Sequence, residues 1–329
     1  MSNAAIVSNY SSIGEIYTKK AVEKIRARSV LLDEVVTSSN IDAHKNTLNN
    51  TDFIFSTWGM FSLNAEKTRE YFPNLKCIFH AGDSTDGFAR EYLKNGARVF
   101  NAPNALAKPV AEYTVSLIVM ANKGFFRFIN YANKKPERFW GCHQRCKGNY
   151  NTKVGIFGFG SIGKHTAKLL MGYDTKVFVC ADGITEKEAA EYGAELKDKY
   201  FLMKECDCVT NHLTTDMAVE NYFDYEMFSL MKDDAVFINT NVGVPQVNGE
   251  DLARVLTEKP DCSAFFDVTW PEPLPEDSKL LHLPNFYVTP HLGGNSGREK
   301  ESLSLEAIDS FYKYLDNEKL MNEVMLLKN

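Results

Sequence analysis

The sequence predicts an α/β protein made of two doubly wound parallel-sheet domains. Three observations carry that prediction. An apolar run, Val154-Gly155-Ile156-Phe157, ends in Gly158-Phe159-Gly160-Ser161-Ile162-Gly163, and a helical pattern follows over 164–171. Residues 1–103 alternate apolar, strand-like runs with helical periodicity. Beyond the glycines, further apolar runs each end in a polar segment. Such alternation builds parallel sheets whose ligands sit beyond the carboxyl ends of the strands.

In the first hundred residues, 4–7, 30–37, 52–57, 75–80 and 98–100 read as strands, and 16–27, 62–72 and 88–95 as helices. The run 75–80 enters Ala81-Gly82-Asp83-Ser84-Thr85-Asp86-Gly87, a loop of turn residues. Asn101-Ala102-Pro103-Asn104 is a candidate hinge, and Pro109 suits the first turn of a long helix over 110–131, read as an inter-domain support. Residues 134–152, with Pro136, Trp140, Gly141 and Gly148, read as a connecting loop. After the glycine motif, 175–180, 208–211, 235–240, 263–268 and 286–289 read as strands, and 186–192, 249–257 and 296–315 as helices.

The 329 residues suffice for two cored domains, and 44% hydrophobic with 24% charged residues is ordinary for a soluble globular protein. A net charge of -6 argues against nucleic acid or a membrane surface as partner. No apolar stretch follows Met1, and the run 115–121 is too short to cross a bilayer. The seven cysteines suggest no disulfide framework, which points to a reducing, cytoplasmic setting. Cys142-His143 with Cys146, and Cys206 with Cys208, lack the spacing and the fourth ligand of a metal site, so no metal is expected.

The G-x-G-x-x-G has a mechanical reading. Gly158 permits a tight turn, Gly160 lets a pyrophosphate approach the backbone, and Gly163 lets helix and strand pack closely. The amides of Ser161 and Ile162, at the helix start, face the phosphates. The same glycines also suit an ordinary strand-to-helix turn without a ligand. Near the C-terminus, His291 on a Pro-His-Leu-Gly-Gly turn can move a proton near neutrality, and Glu272, 19 residues earlier, can stabilise its imidazolium. Taken singly, His291 also reads as a loop histidine and Glu272 as a surface carboxylate.

Taken together, these pieces resemble the D-isomer-specific 2-hydroxyacid dehydrogenase family. The resemblance is carried by Val110-Ala111-Glu112-Tyr113-Thr114-Val115, the glycine segment from Val154 to Gly163, His212-Leu213-Thr214, Met231-Lys232, Phe237-Ile238-Asn239-Thr240, Phe266-Asp267-Val268, Glu272-Pro273-Leu274-Pro275 and Thr289-Pro290-His291-Leu292-Gly293-Gly294. It implies a Rossmann cofactor domain, residues 104–296, inserted in a flavodoxin-like substrate domain, residues 1–103 and 297–329. It also implies a cleft between the domains and a homodimer formed through the cofactor domain. Carried over, His291 is the acid/base and Glu272 its orienting carboxylate. Asp267 lies near the nicotinamide carboxamide, and His212, Thr240, Gly293 and Gly294 line the cofactor. Gly82, beside Ala81, belongs to the loop whose amides hold the substrate carboxylate, and Trp58 and Gly59 face the cleft. Trp58 reads equally well as a packing aromatic.

Three features depart from the family pattern. Val242 stands where the family has an arginine that pairs with the substrate carboxylate, a bidentate task valine cannot perform. Lys108 and Arg298 are candidate substitute cations. The position 18 residues after the last glycine, where the family usually has an aspartate, is Ala181, and Asp182 follows it. Asp182 is then the candidate ribose ligand. With no arginine or lysine immediately beside it, NAD is preferred over NADP. The loop with Asp83 and Asp86 is also unlike the family's glycine-rich form, and both aspartates read as turn caps. The expected function is therefore an NAD-dependent oxidoreductase acting on the CH–OH group of a small polar 2-hydroxy acid or related substrate. The alternatives are a catalytically impaired NAD(H)-binding sensor or scaffold, or a structural homologue that binds no nucleotide.

Overall fold

The computed structural model describes residues 1–134, 146–213, 220–241, 245–294 and 296–325. The chain divides into two compact units, Met1–Leu106 with Asn295–Asn329, and Ala107–Gly294. In chain order the elements are β1 (Ser2–Val7), α1 (Ile13–Ile16), α2 (Lys19–Arg26), β2 (Ser29–Leu31), α3 (Lys45–Leu48), β3 (Phe53–Thr57), α4 (Ala65–Tyr71), β4 (Cys77–Ala81), α5 (Ala89–Lys94), β5 (Arg98–Phe100) and α6 (Pro103–Asn122). The second unit continues with α7 (Phe125–Lys134), β6 (Lys153–Phe157), α8 (Ser161–Leu170), β7 (Lys176–Cys180), α9 (Glu186–Glu191), β8 (Ala194–Leu196), α10 (Lys199–Glu205), β9 (Cys208–Asn211), α11 (Tyr225–Ser229), β10 (Val236–Asn239), α12 (Gly249–Glu258), β11 (Ser263–Phe266) and β12 (Phe286–Val288). The chain then returns to the first unit with α13 (Lys300–Leu315) and β13 (Glu323–Val324).

The first unit's sheet runs β13-β5-β4-β3-β1-β2, parallel throughout except for β13 on the edge. Its parallel part has the order 2-1-3-4-5 of flavodoxin-like sheets. Strands β3 and β4 are buried on both faces, which explains their unbroken apolar text. On one face Phe53, Phe55 and Phe79 meet Phe311 of α13 at ring-centroid distances of 5.3, 5.2 and 5.5 Å. The C-terminal helix thus completes a core begun by the N-terminal strands. On the other face Ile54 and Ile78 pack with Phe72 and Tyr92.

The second unit's sheet is wholly parallel, in the order β12-β11-β10-β9-β6-β7-β8. Counted from β6 this is the Rossmann order 3-2-1-4-5-6 with one further strand. Alternate residues feed opposite cores. Phe157, Val209 and Phe237 face one side, and Ile156, Cys208 and Ile238 the other. Among the described residues no helix is long and apolar enough to cross a membrane.

Local readings needed correction where tertiary contacts override pattern. The run 30–37 forms a strand only over Ser29–Leu31, with an isolated bridge from Val36 to Val7. The run 16–27 divides at Thr18, whose hydroxyl caps α2. The long helix starts at Pro103 rather than after Pro109, so Pro109 lies inside it. Proline removes the hydrogen bond that Ala105 O would accept, and the Ser302 hydroxyl donates to that carbonyl at 3.4 Å instead. The helix also ends earlier, at Asn122, because Gly124 takes a φ of +68° before α7 begins. The predicted connecting loop falls largely outside the described residues, as do Pro136, Trp140 and Cys142-His143. The short elements β8, α10 and α11 carried too little periodicity to read from sequence.

Phe79 is fully buried and touches four aromatic neighbours of the first core besides Phe311. Phe79→Ala is expected to lower stability by roughly 3–5 kcal/mol, seen as a lower denaturation midpoint in urea.

Candidate active site

In the second unit the winding reverses between β6 and β9, so ligands are expected at the carboxyl ends of these strands. The glycine turn lies there. Gly158 has a φ of +84°, and a Cβ on it would come within 2.3 Å of His212 O. His212 N–H donates to Phe157 O at 2.7 Å, which locks the two strand ends together. A Cβ on Gly163 would reach Gly158 O at 2.2 Å, so strand and helix approach as closely as the motif predicts. Gly160 is different, because a Cβ there would meet nothing within 4 Å. It is also the N-cap of α8 and supplies no side-chain cap, leaving the first-turn amides of Ser161 and Ile162 open to an outside acceptor. Open space above uncapped amides fits a pyrophosphate. Asp182 is exposed just past β7, whose last residue Cys180 accepts a hydrogen bond from Gly158 N–H at 2.9 Å.

His212 is buried between two threonines, with Thr210 Oγ1 3.0 Å from Nε2 and Thr240 Oγ1 3.2 Å from Nδ1. Burial pushes its imidazole down to about 3, so it stays neutral and pairs with hydroxyls of either polarity. His212 and Thr240 therefore face each other. Beside them Asn211 Nδ2 donates to Asn239 Oδ1 and to Gln246 Oε1, both at 2.9 Å, while its Oδ1 accepts from Leu213 N–H at 3.1 Å. Asn239 Nδ2 continues to Val268 O at 2.9 Å. These amides tie together the ends of β9, β10 and β11. Sequence reasoning passed them over, although an asparagine closes both β9 and β10 immediately before His212 and Thr240.

The second group is built on Asp267. Its carboxylate, 2% exposed, accepts from Thr289 Oγ1, Leu292 N–H and Gly293 N–H, each at 2.7 Å. Thr289 spends its proton on Asp267, so Tyr113 OH, 2.7 Å away, donates to Thr289. His291 N–H donates to Asp267 O at 3.0 Å. The turn that carries His291, at a φ of 55°, is thus gripped by one buried carboxylate. A Cβ on Gly293 would fall 2.8 Å from Asp267 Oδ2, so that position must be glycine. Gly294 follows it, half-buried. His291 Nδ1 lies 3.0 Å from Glu272 Oε1, and both side chains are about half exposed. Among the described residues His291 Nε2 has no protein partner.

The remaining candidates lie on α6 and in the first unit. Lys108 on α6 is largely exposed and 3.8 Å from Glu112. In the first unit Trp58 follows β3, its carbonyl accepting from Ser8 Oγ at 2.5 Å and its ring edge-on to Tyr10. Ala81 ends β4 and is buried. Gly82 N–H is engaged by His80 O at 3.0 Å, and a Cβ on Gly82 would lie 2.8 Å from His80 Nε2. His80 itself, which the sequence did not single out, is buried with Nδ1 2.9 Å from Ser56 Oγ. Burial pushes its imidazole down to about 4. Asp83 accepts from Ser84 N–H at 2.8 Å, as a turn cap does, whereas α5 is not capped by Asp86. Val242 and Thr214 lie outside the described residues. Cys206 and Cys208 are buried free thiols.

Residues 115–293 match the model of the D-isomer specific 2-hydroxyacid dehydrogenase, NAD binding domain. The glyoxylate reductase/hydroxypyruvate reductase of Homo sapiens is 31% identical over 256 residues, 77% of this chain and 78% of that protein. The hydroxypyruvate reductase of Thermotoga maritima is 27% identical over 249 residues, 74% of this chain and 78% of that one. In fold the chain is similar to a phosphoglycerate oxidoreductase from Rhizobium etli, with a TM-score of 0.83 at 18% identity over the whole of both chains.

His80 and His212 are both held neutral when folded, and an unfolded histidine takes a proton near pH 6.5. Their contribution is therefore complete above about pH 6.5 and is lost as pH falls towards 4 and below. Denaturant midpoints measured from pH 7.5 to 5 should fall, and His80→Asn should flatten that slope.

Proposed function

The chain belongs to the D-isomer specific 2-hydroxyacid dehydrogenase family, and from that premise we propose that it is an NAD-dependent oxidoreductase of a small polar 2-hydroxy acid, with His291 as acid/base. It is an enzyme of the dehydrogenase and reductase type that uses NAD. The observation that carries the finer reading is the His291–Glu272 pair, 3.0 Å apart, on a turn held by Asp267. Glyoxylate and hydroxypyruvate, named for the human relative, are the first substrates to test.

When bound, the nicotinamide supplies or accepts the hydride at the substrate carbon. The chain's own groups do the rest. The amides of Ser161 and Ile162, with Gly158 and Gly160, would hold the pyrophosphate, and Asp182 would accept from the ribose 2′-hydroxyl. His212 and Thr240, a neutral and mutually bonded pair, would line the cofactor. Asp267, Gly293 and Gly294 act by fixing the His291 turn. Glu272 holds His291 Nδ1–H and stabilises the imidazolium, so Nε2 is the atom that gives a proton to the carbonyl oxygen or takes it from the hydroxyl. Ala81, Gly82, Trp58 and Lys108 are assigned to substrate. We assign residues 104–296 to the cofactor domain and 1–103 with 297–329 to the substrate domain. A cytoplasmic homodimer through the cofactor domain completes the reading. Phe125 and Ile129, one turn apart on α7 and each 41% exposed, support a contact there.

His291→Gln should lower kcat by about 10²–10⁴ with NADH binding retained by fluorescence titration. Loss of less than tenfold across a panel of 2-keto and 2-hydroxy acids would sink the assignment. Val242 bears on a second reading, a nucleotide-binding sensor with impaired turnover. Val242→Arg should raise kcat/KM for 2-ketoacids if only that side chain limits carboxylate recognition. Wild-type turnover with none of the panel, alongside tight NADH binding, would favour the sensor.

A further inference from the structure

A cation that the chain order conceals lies against Tyr222, which packs on the last residue of β6. Lys199 opens α10, 17 residues after Asp182, and its neighbour Asp198 is spent on capping that helix through Phe201 N–H. Lys199 Nζ lies 5.2 Å from the ring centroid of Tyr222 and 5.1 Å from that of Tyr200. Tyr222 in turn packs edge-on against Phe157, the last residue of β6, at 6.2 Å. Phe157 is in register with Cys180, the last residue of β7. Tyr222 therefore links the ammonium to the ends of the two strands that frame the glycine turn.

Asp182 shares this neighbourhood. Burial pushes the Cys180 thiol up to about 11, the Asp182 and Asp198 charges add to the rise, and the Lys199 charge opposes it. All three charges act on one side chain at the end of β7. The other nearby lysine, Lys197, is paired with Glu195 at 3.4 Å. Among the described residues neither Asp182 nor Lys199 makes an ion pair. A carboxylate without a cation and a cation without a carboxylate thus flank the place where a strand-end acid meets the ribose.

We propose that Lys199 is a 2′-phosphate-binding group held in check by Asp182. Asp182 accepts from a 2′-hydroxyl and repels a 2′-phosphate, so the unphosphorylated nucleotide is preferred. The ammonium over Tyr200 and Tyr222 is already placed to donate to phosphate oxygens, so removal of one carboxylate is enough to admit the phosphorylated form. The proposal rests on the nucleotide lying on the glycine turn.

Calorimetric titration of the full chain with 5′-ADP and 2′,5′-ADP tests it without relying on turnover. Wild type should bind 5′-ADP more tightly. Asp182→Asn should raise affinity for 2′,5′-ADP by on the order of tenfold relative to 5′-ADP, and adding Lys199→Ala should abolish that gain while Lys199→Arg keeps it. A gain that survives Lys199→Ala, or no gain in Asp182→Asn with 5′-ADP binding intact, overturns the proposal. Failure of wild type to bind 5′-ADP would instead overturn the placement of the nucleotide, and the proposal with it. Thermal melts of each variant identify any that fail to fold.

Discussion

A buried carboxylate is costly unless donors surround it, and Asp267 meets that condition with a hydroxyl and two backbone amides. The same three bonds dictate the path of the His291 turn. The backbone of 291–293 must bring its N–H groups inward, which forces His291 into the left-handed region and requires glycine at 293. The imidazole is then carried outward to Glu272. A half-exposed contact between side chains contributes little to stability by itself. The turn that carries the imidazole to Glu272 is set by the buried Asp267.

The same economy appears at the ends of the central strands. Their interiors are apolar on both faces, but their last residues are Asn211 and Asn239, followed by His212 and Thr240. Asn211 bonds to Asn239 and His212 to Thr240, so the ends of β9 and β10 are polar without being charged. His212 fits this setting because it is neutral, and an unpaired buried charge at that point would cost far more than the hydroxyl contacts return. The close backbone approach of Gly158 to His212 O joins this polar layer to the turn assigned to the nucleotide.

Much of this was legible in the sequence because it is local or periodic. The G-x-G-x-x-G lies between strand and helix as its spacing demands, and the apolar strands β3, β4, β6 and β10 read directly from their composition. The helix containing Pro109 was misread because proline's local rule is strong, whereas the relief came from Ser302, nearly 200 residues away. The amide cluster and the Tyr113–Thr289–Asp267 chain were missed for a similar reason. Asparagine, threonine and tyrosine are common residues, and only their convergence gives them a role.

By itself the sequence determined the parallel α/β architecture and the glycine turn, since chain order and side-chain chemistry are enough for these, whereas the pairing of His291 with Glu272 was expected only through the family resemblance. Tertiary structure alone decided that Asp267 serves the His291 turn, that His212 is neutral, and that Lys199 Nζ lies against the rings of Tyr200 and Tyr222. Each of these depends on burial or on distance between segments remote in sequence, and neither quantity is written in residue spacing.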